Sequence, residues 1–462
     1  MKKSLVTRSA VSTPVAGFPV ATRAGHLLFL SGRTGLDYHT DLPLTGYAAL
    51  GRKPPPALGL LAPDSWEETF VAQASRLYED METLLTEQGA AKTDLLFYSI
   101  YVREMRNFPV LARTRAAAFT GGVAPPSTAS QVPGLLYPGA VVYFDPVAIV
   151  PDAAQGLAKK VLTSNHVVQG PLSNYELASR AGDYTFYAGV VGAHPESGII
   201  IRGANELKDA AWPRPQGGLA QRLLLDPISA QTYTIYKLFG DMLAEHGSKL
   251  ENLLRFNIYL REMQDIPETE RIGTHFLPSG NIPAGTAIGV ECLARRDFLI
   301  EVEGIAYAGG VLRAAPRNAQ VASWARYSDA VRGGDLVFVS GLLGYDPVAA
   351  RTISSALDLD ANSMRLVQKA ISGLSITSAN QLAAAAQTQC ILSQLRIVLA
   401  SLDSSLQSLL KITVYLRDMA DFPFVRGVLL ASLGDDPPAI SVMAVADLPL
   451  REARVQIEAV AV

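Results

Sequence analysis

Along the first third of the chain, apolar residues fall into distinct rhythms. Leu27-Leu28-Phe29-Leu30 is an unbroken apolar run, preceded by Arg23-Ala24-Gly25 and ended by Ser31-Gly32. A short run of this kind bounded by turn residues predicts a strand, and the preceding Lys2-Lys3-Ser4-Leu5-Val6 predicts another. Trp66, Phe70, Val71, Ala74, Leu77, Met81, Leu84 and Leu85 recur in steps of mostly three and four before Gly89. That spacing predicts an amphipathic helix. Leu95-Leu96 to Tyr101-Val102-Arg103 alternates as a half-buried strand does. Phe108-Pro109 opens a second helix, proline being suited to a first turn. Pro125 to Ile149 closes on a strand pair. The predicted order is strand, strand, helix, strand, helix, strand, strand.

The same order is then written twice more. Arg23-Ala24-Gly25 through Gly32 is echoed by Arg180-Ala181-Gly182 through Gly189, and by Arg332-Gly333-Gly334 through Gly341. From Arg23 to Arg180 is 157 residues, and from Arg180 to Arg332 is 152. Tyr101-Val102-Arg103-Glu104-Met105 returns as Tyr259-Leu260-Arg261-Glu262-Met263 and Tyr415-Leu416-Arg417-Asp418-Met419. Two patterns in constant order at this separation make each repeat a whole domain. The expected domains are residues 1–155, 156–310 and 311–462. Further helices are predicted from Ile228 to Gly247 and from Leu382 to about Leu402. Proline again opens second helices at Ile266-Pro267 and Phe422-Pro423, and closing strand pairs run from Pro283 to Ala306 and Pro438 to Val462. Between the first strands and the long helix lie excursions at 33–64, 190–226 and 342–380, far longer than the usual loop of about 4–6 residues, as a cleft cover would be.

Composition narrows the function classes. Of the 462 residues, 49% are hydrophobic and 18% charged, and no apolar run approaches the roughly 18 residues of a membrane span, so a globular protein with no membrane partner is expected. A formal charge of −3 offers nucleic acid no electrostatic footprint. Lys2 and Lys3 give way to Thr7, Arg8 and Ser9 before any apolar stretch, so no export signal is read and a cytoplasmic location is expected. Cys292 and Cys390 form no CxxC and no disulfide framework, in keeping with a reducing compartment.

The Arg-x-Gly-x-x-x-Phe-x-Ser-Gly strand, the Ala72-Gln73-Ala74…Leu77 helix start, the Tyr-Val-Arg-Glu-Met segment and the closing Leu448-Pro449…Gln456-Ile457-Glu458-Ala459-Val460-Ala461 together resemble the RidA/YjgF family. The resemblance covers all three repeats. It implies an α+β fold of three tandem chorismate-mutase-like domains, forming an intramolecular pseudo-trimer with sheets in a central barrel and helices outside. A monomeric chain is the corresponding expectation, where single-repeat relatives need three subunits.

The family's deaminating branch grips a substrate carboxylate with an arginine two residues after a proline on the penultimate strand, and holds the attacking water with a glutamate on the last. Here the arginine position falls on Ser127, Gly285 and Ile440, none of which supplies a fork of donors. Ordinary 2-iminoacid deamination is therefore disfavoured. The resemblance places the acid at Asp145, Glu303 and Glu458, and the early aromatic at Phe18, Tyr175 and Tyr327. A carboxylate retained at an inter-domain cleft orients water or moves a proton, or else it caps a strand or meets a nearby arginine. Repeat two keeps most polar potential, with Thr286, Glu291, Arg271 and His275, and Gly285 leaves room for a larger ligand. Ser441 adjoins Ile440 in repeat three.

Other chemistry has less support. The six histidines form no HxxxH or HExxH pair, so no metal site is expected, and no glycine-rich phosphate loop opens a helix, so no nucleotide cofactor is expected. His275 is the one histidine near a family cleft position, and is more readily a solvent-facing or core-satisfied residue than a catalytic base. Arg23, Arg180 and Arg332 are expected to hold carbonyls or a neighbouring domain. Lys92, Lys249 and Lys411 lie outside the cleft motifs, so the serine-lysine pairs of the cyanuric acid hydrolase and barbiturase group, another three-repeat architecture, are not carried over. Two readings stand: a diverged enzyme acting on a small polar metabolite by carboxylate-assisted hydrolysis or proton transfer, and a non-catalytic small-molecule-binding or scaffold protein.

Overall fold

In the computed structural model the Arg-x-Gly echo turns a hairpin three times. Gly25, Gly182 and Gly334 take φ values of 56°, 56° and 58°, left-handed conformations that cost glycine nothing. The turn separates two strands, so each repeat has one strand more than its sequence pattern predicts. The structure describes all residues except 8, 12–14, 52–64, 121, 168–173, 208, 210–211, 278–281 and 323–324, together with the side chains of 65 and 66. The Trp66 side chain and the last part of the first excursion thus lie outside the described residues.

The first repeat comprises β1 (Lys3–Val6), β2 (Ala21–Ala24), β3 (Leu27–Leu30), α1 (Ser65–Glu87), β4 (Leu95–Val102), α2 (Phe108–Ala118), β5 (Ser127–Gln131) and β6 (Val142–Ile149). The second comprises β7 (Lys160–Leu162), β8 (Ala178–Ala181), β9 (Tyr184–Val191), α3 (Leu219–Glu245), β10 (Leu253–Leu260), α4 (Ile266–Phe276), β11 (Ala284–Gly289) and β12 (Ile300–Tyr307). The third comprises β13 (Arg313–Ala314), β14 (Ala330–Gly333), β15 (Leu336–Leu343), α5 (Ala361–Ala370), α6 (Ala379–Ala400), β16 (Leu409–Leu416), α7 (Phe422–Leu433), β17 (Ala439–Ala444) and β18 (Val455–Ala461).

The sheets share one strand order: β1-β2-β3-β6-β4-β5, β7-β8-β9-β12-β10-β11 and β13-β14-β15-β18-β16-β17. The last pair in each runs parallel and the others antiparallel. Gly134–Leu135 of the first repeat adds to β17 of the third. The fold is mixed α+β. Each long helix buries its apolar stripe on one face of its own sheet, as Phe70, Leu77, Met81 and Leu84 do against Leu28, Ile100, Val142 and Phe144. The opposite faces meet one another. Phe29, Phe97, Phe186, Leu254, Phe338 and Leu410 form one apolar cluster there, and Tyr101, Val132, Tyr259, Ile288, Tyr415 and Met443 form another, each drawing on all three repeats.

The sheets do not merge into the closed hydrogen-bonded barrel that the resemblance implies. Their edges touch through isolated bonds, such as Gln131 N–H to Cys292 O at 2.8 Å, Gly289 N–H to Asp447 O at 2.9 Å and Gly32 N–H to Ile440 O at 2.9 Å. At two seams a serine hydroxyl takes an edge amide in place of a ladder carbonyl, Ser31 from Ile440 and Ser340 from Gly285.

Two helices depart from the predicted ones. Helix α3 begins before Pro227, at Leu219, and its first turns leave Leu219, Leu223 and Leu224 exposed. Without a core-facing stripe there is no periodicity to read. Helix α5 lies inside the third excursion, started by Asp360, whose carboxylate accepts from the Asn362 and Ser363 amides. Helix α6 is long and apolar enough to cross a membrane by composition, but 67% of its most apolar window is buried, as expected of the core helix equivalent to α1 and α3.

Candidate functional site

Register decides which residues can meet. On β4, Tyr98 pairs with Ser127 on one side and Pro146 on the other, and on β10 Phe256 likewise lies between Gly285 and Gly304. On β16, Ile412 lies between Ile440 and Ala459. These are helix-facing rows. One residue later, Ser99 pairs with Asp145, Asn257 with Glu303 and Thr413 with Glu458. Successive strand residues point to opposite faces. Asp145, Glu303 and Glu458 therefore face the interior shared by the three sheets, away from the Ser127, Gly285 and Ile440 positions with which the resemblance groups them.

The three seams differ. Between repeats three and one, Phe18 and Val15 share an apolar cluster with Ile440, and the buried Ser441 hydroxyl crowds Gly32. Between repeats two and three, the Tyr327 ring fills the place a side chain on Gly285 would take, leaving a void of about 10 Å³. The room expected at Gly285 is thus occupied, and buried Thr286 packs close to Gly341. Between repeats one and two a cation is present. Arg115 of α2, 1% exposed, donates from Nη1 to the Ser127 hydroxyl at 3.2 Å and from Nε to Asn174 at 2.9 Å, while its guanidinium lies 4.9 Å from the Tyr175 ring centroid. An arginine absent from the strand is supplied beside Ser127 by the helix. Ser127 and Tyr175, of different repeats, both meet Arg115 here.

The interior acids are held by the other repeats. Lys411 Nζ lies 2.7 Å from Asp145 and also donates to the Leu30 carbonyl. Arg255 reaches Glu458 at 3.4 Å. Asn257 donates to Glu303 at 3.1 Å and reaches Glu458 at 3.5 Å. Burial pushes the Glu303 carboxyl up to about 7. Burial works against the Lys411 cation too, which Asp145 supports, and Glu458 and Glu303 more than offset the burial of Arg255. Lys411, set outside the cleft motifs by sequence, is thus part of this interior. Its place in the repeat is taken by Phe97 and Arg255 in the others, so no repeated signal marks it.

Two residues before Glu303 on the same face stands Glu301, which the sequence pattern did not single out. Burial, reinforced by Glu303, pushes its carboxyl up to about 8. Its Oε1 crowds Gly189 of β9, where the Thr128 hydroxyl from β5 also approaches. Tyr143 and Gln456 hold the corresponding place against Gly32 and Gly341. Glu301 thus lies at the repeat one–repeat two seam, together with Glu303, which Ser99 Oγ approaches at 3.5 Å, and Glu291, which accepts from Gln131 Nε2 at 3.0 Å.

Repeat two also carries a groove of about 620 Å³ between its excursion and α3, lined by His194, Ile201, Glu206, Tyr233, Lys237 and Asp241 among others. His275 is exposed and its ring lies 6.1 Å from that of Tyr233, behind this groove, so it meets none of the seams. Arg23, Arg180 and Arg332 hold carbonyls: Gly25 at 2.8 Å, His246 at 2.9 Å and Leu402 at 2.9 Å. Both cysteines are free, and among the described residues no cluster of three metal-ligating side chains occurs.

A family model described as Endoribonuclease L-PSP matches residues 216–308 and 317–462. A RutC family protein of Pyrococcus abyssi is 25% identical over 151 residues, 33% of this chain and 98% of that protein. A RutC family protein of Drosophila melanogaster is 33% identical over 137 residues, 30% of this chain and 79% of that protein. A solved chorismatase structure covers 80% of this chain and 93% of its own, at 13% identity and a TM-score of 0.48. With more than half of its length matched by the family model and its repeats carrying the motifs throughout, the chain belongs to the Endoribonuclease L-PSP family, the RidA/YjgF family.

Proposed function

We propose that the chain is a diverged RidA-type protein whose three repeats, residues 1–155, 156–310 and 311–462, are arranged about a pseudo-threefold axis, and that it binds and turns over a small polar metabolite at the repeat one–repeat two seam. The observation that carries this is Arg115 beside Ser127. A guanidinium there restores, from a helix, the planar donor set suited to a carboxylate. Two further observations support the choice of seam. In the other two the corresponding place is taken by apolar or aromatic groups, Phe18 with Ile440 in one case and the Tyr327 ring over Gly285 in the other, whereas here a buried guanidinium holds it. And Glu301, whose carboxyl burial pushes up to about 8, lies at this seam on the interior face of the sheets, beside Gly189 and Thr128, whereas Asp145 and Glu458 are engaged by Lys411 and Arg255.

The test is calorimetric binding and turnover of the full chain with a panel of small 2-oxo acids, their imines and amides, repeated for Arg115→Lys and Arg115→Ala. The expected result is binding of a carboxylate probe weakened at least tenfold in Arg115→Ala and less in Arg115→Lys. Equal binding by all three proteins overturns the assignment of the seam. The filled seams favour the scaffold reading, and that reading predicts no turnover of any bound probe.

A further inference from the structure

Between the two apolar clusters that join the sheets lies one polar layer, and its charges do not balance. Asp145 is matched by Lys411 and Glu458 by Arg255. Glu303 and, two residues before it, Glu301 are the remaining acids, and among the described residues of the layer there is no third cation: where repeats two and three carry Arg255 and Lys411, repeat one carries Phe97 in this interior. Glu303 and Glu458 instead converge on one amide, Asn257 Nδ2, at 3.1 and 3.5 Å. Each keeps one buried oxygen, Oε2, with no hydrogen-bond partner, and so does Asn257 Oδ1. All three orphaned atoms are acceptors. Burying an unmatched carboxylate is far costlier than burying its neutral acid.

Beside Glu303, a void of about 30 Å³ is lined by Phe97, Phe186, Arg255 and Asn257. A water needs roughly 10–15 Å³ by this kind of measure, so the void has room for about two. The Thr128 and Tyr259 hydroxyls offer Glu303 donors but no charge; what the layer lacks is one positive charge, and it has space for a water beside it.

We propose that the layer is an internal binding site for one proton and its companion water, the proton being shared between Glu303 and Glu458. With Glu301, whose carboxyl burial pushes up to about 8, in its neutral form, the bound proton makes the layer neutral and completes the packing of the three repeats. Released, it leaves one buried negative charge among them. The site goes beyond the seam reading and does not depend on it. The groups that face the pair are Arg255, Asn257 and Tyr259 from β10, Glu301 from β12, Ser99 and Tyr101 from β4, Thr128 from β5, Asp145 from β6, and Lys411 and Tyr415 from β16. Among them only Arg255 and Lys411 are cations, and both have a carboxylate already. The elevation of the Glu303 carboxyl to about 7 by burial agrees with retention of this proton at neutral pH.

Infrared difference spectra of the full chain between pH 5.5 and 9 test the proposal, with Glu303→Gln and Glu458→Gln compared against the parent and against Glu301→Gln. The parent is expected to show a buried carboxylic-acid band that titrates near neutral pH, persists in Glu301→Gln and is lost in Glu303→Gln. In Glu458→Gln, where the like charge is gone, the same band is expected to titrate at lower pH. If Glu303→Gln does not fold, the shift in Glu458→Gln carries the test alone. A band unchanged by both substitutions, or a parent without any buried acid titrating near neutral pH other than Glu301, overturns the proposal.

Discussion

Two buried glutamates make the chain sensitive to pH in a fixed direction. Glu301 and Glu303 have carboxyls pushed up to about 8 and about 7 from an ordinary 4.5. A folded-state value above the unfolded one means the folded chain binds more protons, so this contribution is whole below about pH 4.5 and is lost as pH rises through 7 and 8. At about 1.4 kcal/mol per unit, the loss attached to Glu301 is on the order of 5 kcal/mol. Thermal melts between pH 5 and 9 are expected to fall with rising pH, and Glu301→Gln is expected to melt above the parent at pH 9; an equal or steeper fall in the variant would count against the assignment. Gly285 supplies a second test at this scale. Any Cβ there meets the Tyr327 ring, so Gly285→Ala is expected to cost about 1–3 kcal/mol in denaturant unfolding, as overpacking does. Neither effect was legible in the sequence. The pattern showed Glu303 as a repeated acid but not Glu301, whose counterparts are Tyr143 and Gln456, and Gly285 read as open space because Tyr327 comes from the next repeat.

The elements were more legible than their partners. Alternation and three-to-four spacing located the strands and the long helices, because each element buries one face against its own repeat and periodicity records that directly. Pro227 and the exposed start of α3 escaped, and so did α5, which caps itself but packs as an addition. The helix start marked by Gln73 proved to be a lock. Its amide donates to Leu44 O and Gly139 O at 2.9 Å each and accepts from Val141 N–H at 2.9 Å. Gln231 joins Ile201, Asp297 and Leu299 in the same way, and Gln387 joins Ile353, Glu452 and Arg454. Each glutamine thus ties its excursion and its closing hairpin to the long helix. Gln231→Ala leaves buried backbone groups unpaired and is expected to cost about 2–4 kcal/mol. Hydrogen exchange should then quicken around Ile201 and Leu299 while β10 stays protected; uniform exchange across the repeat would refute a local lock.

At the scale of the molecule, triplication carries two messages of different legibility. That three like domains follow one another is visible in the echoes alone. How they meet is not, because the decisive contacts join residues of different repeats, far apart along the chain: Lys411 with Asp145, Arg255 with Glu458, Arg115 with Asn174. Those pairs link repeat three to one, two to three, and one to two. In the proposed arrangement one chain thereby completes the interior that three subunits would otherwise share. Multi-angle light scattering of the full chain across a wide concentration range tests this most directly. A constant mass near 49.4 kDa is the predicted result; an obligate assembly of three chains, persisting on dilution, would contradict it.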